Sequence, residues 1–428
     1  MKPQKPPATG SAGMVPESTA PESTALASTV PTSKVAADTG SASVGSASMA
    51  PASMAPAPTA PAPTALARSA LAKTVLARTV ELARIPAPTG SEHDRAAVVR
   101  RWWEEDGWRS RTDDAGNVWA QAGGGDGAGV LVCAHLDTVF PATVPHVVVA
   151  EPGRLSGPSV GDDSIGVAAL PAVARLVRPG PGTGPLWLVA TVGEEGTGNL
   201  AGIRHALDHA PQPVAAVIAI EGNYLGRVVI TGVGSVRWRV SYHGPGGHAW
   251  ERSQAPSAVH AAARAGALIA GLDVAGARCS VNIGTIGGGE AINARAREAW
   301  FEVDLRADSA PALASLVDQA GAIVRAADDQ IRVRIEEIGR RPAGGVAESS
   351  ALARAAVAAH ERAGVPAELR AASTDANAAY AAGIPAVALG VTRGEGEHTP
   401  QEWIETAPVA DGLGVLAETI RLFGEGQQ

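Results

Sequence analysis

The sequence predicts an α/β protein whose sheet is largely parallel and is interrupted by a compact inserted α+β segment. Two patterns predict it. Short apolar runs alternate with helical stretches along most of the chain, the clearest being VLVCA (130–134), LWLVATV (186–192), VAAVIAI (214–220) and AVALGV (386–391). Between the third and fourth runs the character changes near Ser235. An alternating strand (VRWRVSYHG), a helix (PSAVHAAARAGALIAGL), two strands (CSVNIGTIGG and EAWFEVDLR), a second helix and a last strand (IRVRIEEIG) follow in turn. That β-α-β-β-α-β order is the ferredoxin-like signature and fits an inserted domain of about 100 residues. We place it at 235–339, so the larger domain is discontinuous, with parts at 65–234 and 340–428.

Ahead of these parts, residues 1–64 are built from Ala, Pro, Ser, Thr and Gly with near-repeats such as PESTAPESTA, a composition expected to stay disordered because it buries too little apolar surface to offset chain entropy. Order is expected from about Ala65, where Leu66, Leu71, Val75, Leu76, Val80 and Leu82 recur at mostly helical spacing until Pro86. A second helix follows, with Thr89 or Ser91 as the expected N-cap and Glu92 and Asp94 in its first turn.

At 428 residues the chain is long enough for two folded domains and a tail. With 43 acidic against 35 basic residues, its formal charge of −8 offers no attraction to nucleic acid or an anionic membrane. No stretch approaches the ~20 apolar residues of a membrane span, and the first residues lack the apolar block of a signal peptide. The two cysteines are Cys133, inside an apolar run, and Cys279, which is no disulfide framework. A cytoplasmic setting is expected.

Ligands in open α/β sheets bind beyond the carboxyl ends of the strands. After the first apolar run stand His135 and Asp137, after the second Glu194 and Glu195, after the third Glu221, and in the loop after the fourth His398. The loop GPSVGDDSIG adds Asp162 and Asp163 at the start of a helix, where negative charge is favoured. Singly, each is weak, since a histidine after a strand is most often structural. Together they crowd carboxylates and imidazoles at one sheet edge, a charge that a pair of divalent cations would neutralise. Mixed His and carboxylate ligation suits zinc, with cobalt or manganese as alternatives.

At these residues the chain resembles the dinuclear zinc exopeptidase and deacylase family that includes carboxypeptidase G, peptidase T, acetylornithine deacetylase and succinyl-diaminopimelate desuccinylase. The likeness runs from about Leu76 to Phe423, with five motifs in the family's order. It implies a zinc-exopeptidase-like mixed sheet flanked by helices, with the inserted segment as lid and dimerisation domain of a homodimer. By resemblance, His135 and Glu221 hold one metal, Glu195 and His398 the other, and Asp162 bridges them; Asp137 orients the His135 imidazole and Glu194 is the general base. His248, in GPGGHAW, matches a lid histidine that reaches a neighbouring active site and helps stabilise the oxyanion. Asn293 and Arg306 match substrate-binding positions, although Arg306 is equally suited to pair with Asp304 or Asp308. The STDAN run, with Ser373, Asp375 and Asn377, also looks like a family segment near the active-site mouth. Pro171 should kink the helix after Asp162.

The expected activity is hydrolysis of a peptide or N-acyl-amino-acid amide bond by a water bridging two metals, with Glu194 moving the proton. A peptidase T type dipeptidase or aminopeptidase is the alternative, because Glu221 resembles the deacylase and carboxypeptidase branches whereas GGHAW and STDAN resemble peptidase T. A metal-free binding relative would show lost ligands, and none is missing.

Overall fold

The structure is a computed structural model that describes residues 64–177 and 184–426; almost all of the 1–64 tail lies outside them. A nine-stranded mixed sheet organises the molecule. Its middle four strands, Leu186–Thr191, Gly129–His135, Val214–Ile220 and Ala386–Leu389 in spatial order, are mutually parallel and correspond to the four apolar runs. Antiparallel strands flank them on both sides, Val118–Ala122 against Leu186–Thr191 and Arg227–Gly232 against Ala386–Leu389.

Alternate residues of the central strands feed different cores. Val132, Ala134, Leu188, Ile218 and Val387 face a cluster completed by the helices Ala65–Ala83, His93–Glu105, Ile165–Val177, Ala351–Arg362 and Val409–Glu425. Leu131, Cys133, Val189, Val217 and Ala388 face the opposite side, under Ala201–Asp208 and Ala376–Ala381. Both faces are therefore covered, which is why these strands are apolar throughout instead of alternating. Each fully buried Leu, Ile or Val contributes roughly 1.5–3 kcal/mol. Among the described residues no helix is long and apolar enough to cross a membrane.

Between Gly234 and Arg341 the strands Gly234–His243, Cys279–Gly288, Glu298–Ala307 and Arg332–Arg341 form a separate four-stranded antiparallel sheet, in which the second, third, first and fourth lie side by side in that order. The helices Ala258–Ala270 and Ala310–Arg325 cover one face, enclosing Val236, Val240, Phe301, Leu305, Ile269 and Leu316. This is the ferredoxin-like order.

Three local expectations change. The first helix does begin at Ala65, capped by the Thr64 hydroxyl, but its buried stripe is Ala72, Val75, Thr79, Leu82 and Ala83, leaving Leu66 exposed. The second helix is His93–Glu105 with Glu92 at the cap, and neither Thr89 nor Ser91 takes that place. The Thr89 hydroxyl instead donates to the buried Asp137 carboxylate at 2.8 Å, a stronger acceptor. The helix Ile165–Val177 runs through Pro171, and the departure from helical dihedrals lies before it, at Asp162 and Asp163.

His360, on the helix Ala351–Arg362, is fully buried. Its Nδ1 donates to the Ala356 carbonyl at 2.8 Å, while Nε2 has no partner. A proton on Nε2 would have no acceptor, so burial holds the imidazole below its ordinary 6.5. The unfolded chain then takes up the proton first, and stability present above about pH 6.5 is lost as pH falls toward the depressed folded value. His360→Phe is expected to flatten the fall in urea midpoint between about pH 7.5 and 5.5, by at most about 1.4 kcal/mol per pH unit. Identical pH dependence in the two proteins would remove His360 from this role.

Candidate metal centre

The register of the parallel strands levels their carboxyl ends. His135 pairs with Thr191, Cys133 with Ala219, and Ile220 with Leu389, so the residues that follow emerge side by side. His135 closes its strand, Gly193 to Glu195 follow Thr191, and Glu221 follows Ile220, its amide bonded to the Leu389 carbonyl. His398 comes differently. It sits on the turn between the short strands Gly394–Glu395 and Trp403–Glu405, which belong to a small separate sheet, and it holds a left-handed conformation at φ 63°. The other non-glycine residues with positive φ among those described are Ser159, Asn199 and Leu200, in the loops carrying Asp162 and Glu195. Backbone strain of roughly 1–3 kcal/mol per residue is thus concentrated where the candidate ligands are presented.

Three trios of potential ligand atoms lie within 4.8 Å of one another: His135, Asp162 and Glu221; Asp162, Glu195 and His398; and His135, Glu194 and Glu195. Asp162 links the first two. Its Oδ1 is 2.9 Å from His135 Nε2, and its Oδ2 is 3.1 Å from His398 Nε2. His398 Nε2 is also 3.1 Å from Glu195 Oε1. One carboxylate facing two imidazoles through different oxygens, with a further acid on each side, is a donor set that fits two cations sharing Asp162.

The electrostatics point the same way. Burial pushes the Glu221 carboxyl well up. Burial would also raise Asp162, but hydrogen bonds from His135 and His398 hold it well below the usual carboxylate range. Hydrogen bonds to Asp162 and to Glu195 push the His398 imidazole up to about 10.

A ring of polar contacts holds these groups. Asp137 accepts the Glu194 amide on Oδ1 at 3.0 Å and the Glu195 amide on Oδ2 at 2.8 Å. It meets His135 mainly through its backbone carbonyl, 3.0 Å from Nδ1, with Oδ1 at 3.6 Å. Asp137 thus fixes the acidic loop as well as the imidazole. Glu402 accepts the amides of Gly161 and Asp162 on one oxygen, at 2.9 and 2.7 Å, tying the hairpin of His398 to the backbone of Asp162. A Cβ at Gly161 would stand 2.6 Å from that oxygen, so a larger residue there would displace the Glu402 carboxylate. Asp163 accepts the amides of His135 and Gly222 and joins none of the trios.

Glu194 is buried, and burial with Glu195 alongside pushes its carboxyl up to about 8 against the lowering pull of Arg341. Arg341 had no signal in the sequence. Its Nη1 donates to Glu194 Oε1 at 2.8 Å and its Nη2 to the Glu194 carbonyl, across 147 residues. Removing either partner of such a buried pair costs roughly 3–5 kcal/mol.

The remaining expected site residues lie on the inserted segment and join none of the trios. His248, on the two-residue strand Gly247–His248, is exposed, and its Nδ1 accepts the amides of Trp250 and Glu251. Asn293 is exposed in the turn beside it, its carbonyl accepting the Ala249 amide. Arg306 directs Nε and Nη2 to Asp304 Oδ2 at 3.0 and 2.9 Å, the ion pair its sequence neighbourhood allowed.

A doubly covered sheet thus gathers histidines and carboxylates at its carboxyl edge, a donor set suited to divalent metal ions. Residues 131–422 match peptidase family M20/M25/M40, and the chain belongs to that family. Its fold is similar to that of a tripeptidase from Staphylococcus aureus (TM-score 0.71, 22% identity, 83% of this chain and 99% of the other covered). It is similar also to the aminopeptidase PepT from Bacillus cereus (TM-score 0.69, 22% identity, 82% and 98% covered). A third likeness is to a dinuclear metal binding peptidase from Bacillus subtilis (TM-score 0.60, 18% identity, 82% and 98% covered). A sequence search of curated proteins finds no match.

Because Asp137 accepts two amides of the acidic loop, Asp137→Ala is expected to weaken divalent-metal binding about 10–100-fold, the usual effect of losing a group that orients ligands. Titration against a competing chelator measures it; wild-type affinity would show that the loop keeps its shape unaided.

Proposed function

We propose that the protein is a dinuclear metallohydrolase that cleaves short peptides. Asp162, with its two oxygens set against His135 and His398, is the observation that carries this reading. His135 and Glu221 hold one cation, Glu195 and His398 the other, and Asp162 is common to both; zinc suits the mixed nitrogen and oxygen donors best. Bound cations would polarise the scissile carbonyl and make an attacking water more acidic.

Glu194 is the general base. Its carboxylate lies within reach of His135 and Glu195, and a carboxyl raised toward neutrality can both take a proton from water and return it to the leaving nitrogen. His248 supplies a hydrogen bond to the developing oxyanion from the partner subunit of a homodimer, in keeping with its exposed place on the inserted segment. Asn293, in the turn beside it, would contact substrate, and Arg306 would exchange Asp304 for a substrate carboxylate. The tripeptidase and aminopeptidase among the similar structures favour peptides as substrates. Glu221, resembling the deacylase and carboxypeptidase branches, favours N-acyl amino acids as a second reading. Two unpaired thiols suit a cytoplasmic setting.

Reconstitution with zinc or cobalt followed by a panel of di- and tripeptides and N-acyl amino acids tests the substrate class, with peptides expected to turn over fastest. Glu194→Gln should lower kcat by at least about 10²-fold with two metal equivalents retained. Asp162→Ala should lose both equivalents, and His398→Ala one. Full activity in Glu194→Gln would remove it as the base, and metal retention in Asp162→Ala would remove the shared site. Mixing inactive His248→Ala and Glu194→Gln chains should restore turnover through hybrid dimers, and no restoration would place His248 within its own chain's site.

A further inference from the structure

We infer that Arg341 is a positioning residue for the Glu194 carboxylate, and that through it the inserted segment holds the general base in place; the inference rests on the reading of Glu194 given above. Arg341 is the last residue of the strand Arg332–Arg341, where the chain leaves the inserted sheet for the large one. It is buried, and its guanidinium grips Glu194 at two points, Nη1 on the carboxylate at 2.8 Å and Nη2 on the backbone carbonyl. Nη1 also reaches Ser373 Oγ at 3.2 Å, and Nε has no partner. A fork holding both ends of one residue fixes the side-chain torsions between them, which a point charge would not do. Both terminal nitrogens face Glu194, so this is not an arginine presented to a substrate carboxylate.

The neighbouring contacts repeat the pattern. The Arg340 amide donates to Asn199 Oδ1 at 3.0 Å, and Arg204 Nη2 donates to the Arg340 carbonyl at 3.1 Å. Arg237, on the strand that enters the inserted sheet, donates to the carbonyl of Gly196, the residue after Glu195. The entering and leaving backbones are themselves joined, because Asn377 Nδ2 donates to the carbonyls of Val233 and Pro342 at 2.9 and 2.8 Å. Asn377 is fully buried, so this clasp is shielded from water. The loop bearing Glu194 and Glu195 is thereby fastened to both strands that connect the inserted segment, and Arg341 is the contact that reaches the base itself. This gives the STDAN run a place: Ser373 accepts from Arg341, and Asn377 closes the two connections.

The test uses the metal-loaded full chain and the peptide that turns over fastest in the panel. Arg341→Met is expected to lower kcat about 10²-fold, the scale of a misplaced reacting group, with KM and metal content near wild type. Arg341→Lys keeps the charge without the fork and should remain at least about tenfold below wild type in kcat with little change in Tm; it serves as the measured variant if Arg341→Met fails to fold. Glu194→Asp withdraws the carboxylate from the guanidinium, so adding Arg341→Met to it should cause little further loss. Wild-type kcat in either arginine variant overturns the inference, as does a raised KM with intact kcat, or a full additional loss in the Glu194→Asp background. Full activity in Glu194→Gln would overturn the base assignment and this inference with it, whereas an inactive Glu194→Gln beside a normal Arg341→Met would overturn this inference alone.

Discussion

The crowding of buried carboxylates at one edge of the sheet is the constraint on which the rest of the site depends. Asp162, Glu194, Glu195 and Glu221 lie within a few ångströms of His135, with little water to screen them. Like charges at that spacing cannot all ionise unless positive charge lies between them. The guanidinium of Arg341 supplies one such charge beside Glu194. A pair of divalent ions would do it more completely, and Asp162 turns opposed oxygens toward His135 and His398.

That arrangement places demands on the scaffold. Three of the four parallel strands, in level register, deliver His135, Glu194, Glu195 and Glu221 to one edge, while His398 arrives on a separate hairpin that must be tied in. Glu402 ties it by accepting the amides before and at Asp162. Asp137 does the same for the acidic loop, and Thr89 reinforces Asp137 from the loop ahead of the second helix. Glu402 and Asp137 both grip the site loops through backbone amides, which have fewer degrees of freedom than side chains.

The inserted segment has its own sheet and its own core, yet its connecting strands touch the loop that bears the proposed base. His248 and Asn293 stand on the far part of that segment, exposed and apart from the trios, whereas Arg341 stands at its root and is buried in the site. The contact of the segment with Glu194 on the acidic loop is therefore made at its root, by Arg341.

The sequence by itself determined the α/β class, the four central strands and which acids and histidines would gather at their ends, because apolar runs and the polar residues after them are local patterns. It also read the order of elements in the inserted sheet. What it left open was the long-range partnership of polar groups. The hydroxyl of Thr89 suited a helix cap and went to Asp137, 48 residues away; Arg341 carried no pattern and pairs with Glu194, 147 residues away; Glu402 carried none either and holds the amide of Asp162. A buried polar group must take whichever partner the folded chain brings within reach. Only the tertiary structure, which sets those approaches, could decide which acid each donor met.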